Sequence, residues 1–281
     1  MSRKLVEKIA FSSLRTAALI NGLALGTLMF FVIYNGLPAI SWEFLTEPPR
    51  KMMTEGGIMP CIVGTFLLSI GSMLVAMPLG IGAAIYLNEY AKQGRIVRII
   101  RIGINNLAGV PSIVFGLFGL AFFAISLGFK VSLLTGIFTL GFLTLPVVIS
   151  STEEALRTVP DTYREASLGL GATKWQTIYK VVLPAALPGI LTGAILSLSR
   201  AAGETAAIMY SAAVFYTPDM IKSIFDPVMA LPYHIYVLAT AGTEIDKTRP
   251  LQYGTALVLI ALIFGMNFIA IYLRGKMQKK R

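Results

Sequence analysis

The sequence predicts an all-α membrane protein with six transmembrane helices, on three observations. First, hydrophobic residues make up 56% and charged residues 14% of the 281 positions, and the mean hydropathy of +0.74 lies well above that of a soluble domain. Second, uncharged runs cover 16–42, 56–88, 102–129, 131–152, 181–199 (continuing past Arg200 and Glu204 to 218) and 250–273. Each reaches or exceeds the ~20 residues that cross about 30 Å of hydrocarbon. Third, seventeen of the 24 Lys and Arg residues fall on one side of this layout and six on the other, with Arg200 inside a span. The positive-inside rule then puts both termini and the 153–180 loop in the cytoplasm. The same clustering assigns the formal charge of +10 to membrane insertion and anionic lipid, not to a nucleic-acid partner.

Three segments follow in order: a tail, first helix and outer loop over 1–58, a core of five helices over 59–275, and a basic cytoplasmic tail over 276–281. Arg3, Lys4 and Lys8 precede an apolar run too long for a signal peptide, so the first helix (16–38) is read as uncleaved. It carries Gly22 and Gly26, a small-xxx-small pair suited to ordinary packing. Trp42 marks an interface anchor on the outer side. Helix 2 is glycine-rich from Gly64, with a kink expected at Pro78. Cys61 is alone, which leaves it a packing role.

In helix 3, Asn105 and Asn106 are followed by Gly109-Val110-Pro111. Lipid cannot satisfy the backbone groups that such a run exposes, so this part faces protein or water. A packing kink and an interrupted helix beside a substrate path fit it equally. Helix 4 (131–151) contains Pro146. Val228–Gly242, with Pro232 and His234, is too short for a further span and is read as an extracytoplasmic loop helix, because a seventh crossing would carry the basic tail outside. His234 has no second histidine to share a metal and is read as an interfacial polar residue. Helix 6 (251–273) ends in the basic tail.

Helix 5 holds the intramembrane charges. Gly193, Ser197, Arg200, Glu204, Ala207 and Ser211 recur at three and four residues, a small and polar stripe on one helical face. Arg200 lies near mid-membrane, where an arginine costs about 2.5–3.5 kcal/mol even on the insertion scale. Two readings offset that cost. Glu204, one turn on, can pair with Arg200 and hold two helices together; or the guanidinium fork meets a passing oxyanion, with Ser197 adding a hydroxyl and Glu204 keeping the site weak enough to release its cargo.

The longest polar interruption with helical spacing runs from Glu165 to Pro184, with Glu153, Glu154, Arg157, Asp161 and Arg164 clustered before it. Pro160-Asp161 suits a helix start, Gly171 separates two short helices, and Pro184 and Pro188 reset the chain for the next span. Trp175, Ile178, Tyr179 and Val182 fall on one face of the second piece, as on an amphipathic surface helix. Within this stretch Glu165-Ala166-Ser167, Gly171, Leu183 and Pro184 resemble the EAA loop of binding-protein-dependent ABC-importer permeases. That signature has glycine six residues after the Glu and Leu-Pro at eighteen and nineteen. Ser167 replaces the second alanine, and Val181 the usual isoleucine.

Asn106-Leu107-Ala108-Gly109-Val110-Pro111-Ser112-Ile113 and Ser199-Arg200-Ala201-Ala202-Gly203-Glu204-Thr205-Ala206 are similar to blocks of the phosphate-importing (Pst-type) members. Pro227–Pro232 resembles an outer loop of the same group. The resemblance covers nearly the whole chain after helix 1. It implies a type I ABC-importer permease fold with cytoplasmic coupling helices and a phosphate path through Arg200, Glu204 and Ser197. Coupling to a separate ATPase would run through Glu165, Ala166, Gly171, Leu183 and Pro184. The implied partners are two ATPase subunits, a homologous permease in a heterodimer, an extracytoplasmic phosphate-binding protein and the bilayer.

The chain has no Gly-x-x-x-x-Gly-Lys-Ser/Thr run and no catalytic or metal constellation, so neither enzyme activity nor a cofactor is expected of it. Another oxyanion such as molybdate or sulfate, or a gradient-driven secondary transporter with Glu204 as a proton site, are the alternative readings.

Overall fold

The computed structural model describes residues 3–241 and 245–279. Gly242, at the end of the expected loop helix, and Lys280 and Arg281 of the basic tail lie outside the described residues. Twelve α-helices carry the described fold, together with one two-residue hairpin, β1 (Pro49–Arg50) against β2 (Glu55–Gly56). Five stretches are long and apolar enough to cross a membrane: Ala10–Ala39, Met59–Tyr90, Leu133–Arg157, Lys174–Gly203 and Thr248–Lys276. They are built on α1 (Arg3–Gly36), α3 (Met59–Ile85), α6 (Leu133–Arg157), α9 (Leu183–Gly203) and α12 (Ile245–Lys279). The short α2 (Trp42–Thr46) lies in the loop after α1, with Ser41 capping its N-terminus through Phe44 N–H.

The expected third span is not one straight helix. α4 (Arg95–Ala108) and α5 (Ser112–Phe118, extended to Ser126 by a π-helical turn) meet at 101°. The cause lies in Gly109-Val110-Pro111: proline lacks an N–H and biases Val110 away from helical dihedrals, so the ladder stops at Gly109 and restarts at Ser112. Counted as one span, this bent pair brings the number of candidate crossings from five to six. Pro78 and Pro146, by contrast, sit inside α3 and α6 without ending them.

α6 is the central element, flanked by α3 and α9. Leu68, Leu140, Leu143, Ile208 and Ala212 fill one cluster, and Ala84, Leu87, Val97, Leu156, Val182 and Ile190 another toward the opposite end. Small residues permit the close crossings. A Cβ at Gly189 would lie 2.7 Å from that of Ala155, and one at Gly193 would overlap the Ser151 side chain.

α1 is bound differently. It packs along α12, with Phe31 edge-on to Tyr253 at 5.5 Å, and its hydrophobic window is otherwise unburied. A Cβ added at Gly22 or Gly26 would meet no other element within 4 Å, so the expected packing pair is not used among the described residues.

The loop after α10 (Ala206–Ser211) caps α6. Asp226 and Ile224 carbonyls accept from Leu133 and Leu134 N–H at 2.8 and 2.9 Å. The expected loop helix is α11 (Leu231–Thr240). His234 within it is buried, not interfacial, because α11 packs onto α3 and α12.

Candidate functional site

Helix 5 of the sequence reading is divided. α9 ends at Gly203, Glu204 is extended (ψ 129°), and α10 begins at Ala206. The small and polar stripe is therefore not continuous. Arg200 sits in the last turn of α9, where a cation complements the helix dipole. Glu204 lies just beyond it and accepts from Ala207 N–H at 3.4 Å.

No ion pair joins Arg200 to Glu204 among the described residues. The guanidinium is exposed on the surface of the chain. Ser197, about 60° around the helix from it by the 100° step, is fully buried, and its Oγ has no hydrogen-bond partner. The three residues are near in sequence but face different surroundings: Arg200 outward, Glu204 half-buried at the break, Ser197 inward.

An elbow between α6 and α9 consists of α7 (Asp161–Gly169) and α8 (Lys174–Thr177), and a π-helical turn over Ile178–Val182 leads on into α9. Pro160 precedes α7, and Asp161 lies in its first turn. Gly171 stops α7 with φ +83°, its N–H bonded to Leu168 carbonyl at 2.9 Å. Thr173 and Gln176 form a capping box at the start of α8. Pro184 sits in the first turn of α9, next to Leu183.

The expected amphipathic face of the second piece is split. Ile178 and Val182 are buried, whereas Trp175 and Tyr179 stay exposed and stack at 6.1 Å. The π turn is the reason, since it holds more residues per turn and changes the register along that face. Glu165 and Ala166 are also exposed, as are Tyr163, Leu168 and Leu170, the last at 90%. Exposed apolar patches of this kind mark contacts with another protein or with a membrane.

Ser167, the departure from the EAA pattern, lies 2.9 Å from Thr177 through its hydroxyl and so ties α7 to α8. A Ser167→Ala variant loses that bond, worth about 0.5–1.5 kcal/mol. Transport is expected to persist at reduced thermal stability, read as the melting temperature of the purified chain.

Two arginine clusters at the base of the elbow were not legible in the sequence. Arg164 uses all five of its donors. Nε and Nη2 reach the two oxygens of Glu89 at 3.2 and 2.8 Å, Nη2 also reaches Leu156 carbonyl, and Nη1 reaches Val159 carbonyl and Asp161. The hydrogen bonds to Glu89 hold its pKa above the ordinary arginine value against the opposing effect of burial.

Arg101 of α4 reaches Glu153 at 3.2 Å, Gln93 at 3.0 Å and Leu87 carbonyl at 3.2 Å. Glu89 and Arg164 are 75 residues apart and Arg101 and Glu153 are 52 apart, so no periodicity within one helix signals either pair.

Comparison with known proteins agrees with this architecture. The family described as "Binding-protein-dependent transport system inner membrane component" matches over residues 76–280. A probable ABC transporter permease protein, YqgI, of Bacillus subtilis (strain 168) is 32% identical over 100% of this chain and 99% of its own length. The phosphate transport system permease protein PstA of Mycobacterium leprae (strain TN) is 38% identical over 94% of this chain and 87% of its own.

Among solved structures, a bacterial alginate ABC transporter in complex with an alginate pentasaccharide-bound periplasmic protein aligns at a TM-score of 0.63. It is 15% identical and covers 99% of this chain and 98% of the other. An inward-facing MetNI methionine ABC transporter aligns at 0.60 with 20% identity, covering 79% and 94%. These likenesses concern the fold. On the family match and the relatives together, the chain belongs to the binding-protein-dependent transport system inner membrane components, the permease family of ABC importers.

Proposed function

We propose that this chain is the transmembrane permease subunit of an ATP-driven importer of inorganic phosphate. The observation that carries the reading is Arg200, a guanidinium with no ion-pair partner among the described residues, set at the end of a broken membrane helix. Its planar donors suit a tetrahedral oxyanion, and relatives alike over almost the whole length are named phosphate permeases.

In this reading Arg200 and Glu204 line the anion route, with the Ser197 hydroxyl turning toward it during transport. Glu165, Ala166, Gly171, Leu183 and Pro184 shape the elbow on which a separate ATPase acts. The exposed apolar surface of that elbow supports such a contact. The chain itself hydrolyses nothing and holds no cofactor. Its partners are ABC ATPase subunits, a homologous permease as a heterodimer and an extracytoplasmic phosphate-binding protein. Both termini and the elbow lie in the cytoplasm, in line with the Lys and Arg asymmetry.

The test starts with co-purification in mild detergent, followed by uptake into proteoliposomes. ATP-dependent phosphate uptake by a complex that holds an ATPase and a second permease is the expected result. Displacement of phosphate by molybdate or sulfate in stimulating ATPase activity would move the cargo to another oxyanion. Uptake that vanishes when the ion gradient is collapsed at constant ATP would make the chain a secondary transporter.

A further inference from the structure

We propose that Arg164 is a positioning residue that carries the elbow's movement to the inner end of α3 and, through Arg101, into the bent pair α4–α5. This rests on the reading of the elbow as the place where the ATPase acts. In sequence the elbow is flanked by α6 and α9, and those helices alone would receive its motion. The structure adds a lateral route.

Between α6 and α7 lie only Thr158, Val159 and Pro160, a hinge that could absorb displacement. Arg164 closes it. From α7 its guanidinium reaches back to the carbonyls of Leu156 and Val159 at the end of α6 and across to both oxygens of Glu89. The side chains of Arg164 and Glu89 are only 17% and 7% exposed, so water screens this pair little and the planar fork fixes its geometry. Asn88 Nδ2 also donates to Glu89 Oε1 at 2.9 Å.

Glu89 belongs to a π-helical turn, Tyr86–Tyr90, that closes α3 with Ala91 N–H bonded to Tyr86 carbonyl at 2.9 Å. Three other attachments converge there. Arg101 Nη2 and Gln93 Nε2 both donate to Leu87 carbonyl, and Lys174 of α8 lies 5.1 Å from the centre of the Tyr90 ring. Both coupling helices therefore bear on the same turn, and Arg101 links that turn to α4 and, through Glu153, to α6.

From α4 the contacts lead back to the charged break. Beyond the bend at Gly109-Val110-Pro111, α5 crosses α10 so closely that a Cβ on Gly116 would meet Ala207 carbonyl at 2.8 Å. Ala207 is the residue whose N–H Glu204 accepts. A continuous set of hydrogen bonds and packed backbone thus runs from the elbow to the residues proposed to line the path. Energetic coupling along it is what must be measured.

The experiment uses the complete complex in proteoliposomes with its binding protein, reading phosphate taken up per ATP hydrolysed. Arg164→Met is expected to keep ATPase activity within about twofold while the ratio falls roughly tenfold, inside the span of typical coupling free energies. Arg164→Lys, which keeps the charge but not the fork, should recover part of the ratio. Adding Glu89→Gln to Arg164→Met should cost nothing further, because the two act as one unit. Arg101→Met should lower the ratio as well.

An unchanged ratio in Arg164→Met, or uptake and ATPase activity falling in proportion, overturns the proposal. If Arg164→Met fails to assemble, Glu89→Gln, which preserves shape, carries the measurement, and an unchanged ratio there overturns it equally. Absence of ATP-driven uptake by the unmodified complex refutes the importer reading instead.

Discussion

Arg200→Gln is expected to abolish phosphate uptake while leaving the complex assembled. Glutamine keeps an amide donor but is shorter than arginine and loses the charge and the fork. Loss of a charge-assisted contact of about 1.5–3 kcal/mol corresponds to roughly a 10- to 150-fold fall in rate if the contact is made at the rate-limiting step. Membrane insertion should not suffer, since removing a charge from a membrane span relieves a cost of about 2.5–3.5 kcal/mol. Among the described residues no carboxylate is left unpaired by the change, because Glu204 does not bind Arg200. Uptake and size-exclusion profiles together check this. Loss of assembly would show that Arg200 serves as an ion pair between subunits, and normal uptake would remove it from the path.

Gly171→Pro has the second-largest expected effect. The backbone there has φ +83°, whereas proline holds φ near −65° and lacks the N–H that Gly171 gives to Leu168 carbonyl. The turn between α7 and α8 cannot form in the same shape. The variant should insert normally, because Gly171 lies outside every candidate span, and should lose ATP-coupled uptake. Gly171→Ala is a graded control at about 1–2 kcal/mol of left-handed strain, with uptake reduced but present. Normal uptake from an assembled Gly171→Pro complex would contradict the coupling role.

What could be read from the sequence follows the range of the interactions. The spans were legible because burial in lipid imposes a minimum length on every apolar run. Gly171 was legible because a helix stop needs a residue free of Cβ, and the EAA spacing marked the elbow as a unit. The break after Gly203 was missed, since Glu204 and Thr205 continue a 3.6-residue stripe that helical spacing alone cannot interrupt. The 101° bend was half-visible in Gly109-Val110-Pro111, which fixes that the ladder stops but not the angle at which it restarts. Arg164–Glu89 and Arg101–Glu153 were out of reach, because their partners meet only through the packing of α3, α4 and α6. The inward turn of Ser197 depends on the same packing.

The claim beneath both substitutions is that another subunit grips the elbow from the cytoplasm. The most direct test places a thiol-reactive cross-linker at Leu170→Cys, 90% exposed at the tip, in a chain whose own Cys61 is buried. Cross-linking to the ATPase subunit, with protection from membrane-impermeant reagents added outside intact cells, is the expected result. Labelling from outside, or no cross-link to any other polypeptide, would contradict it.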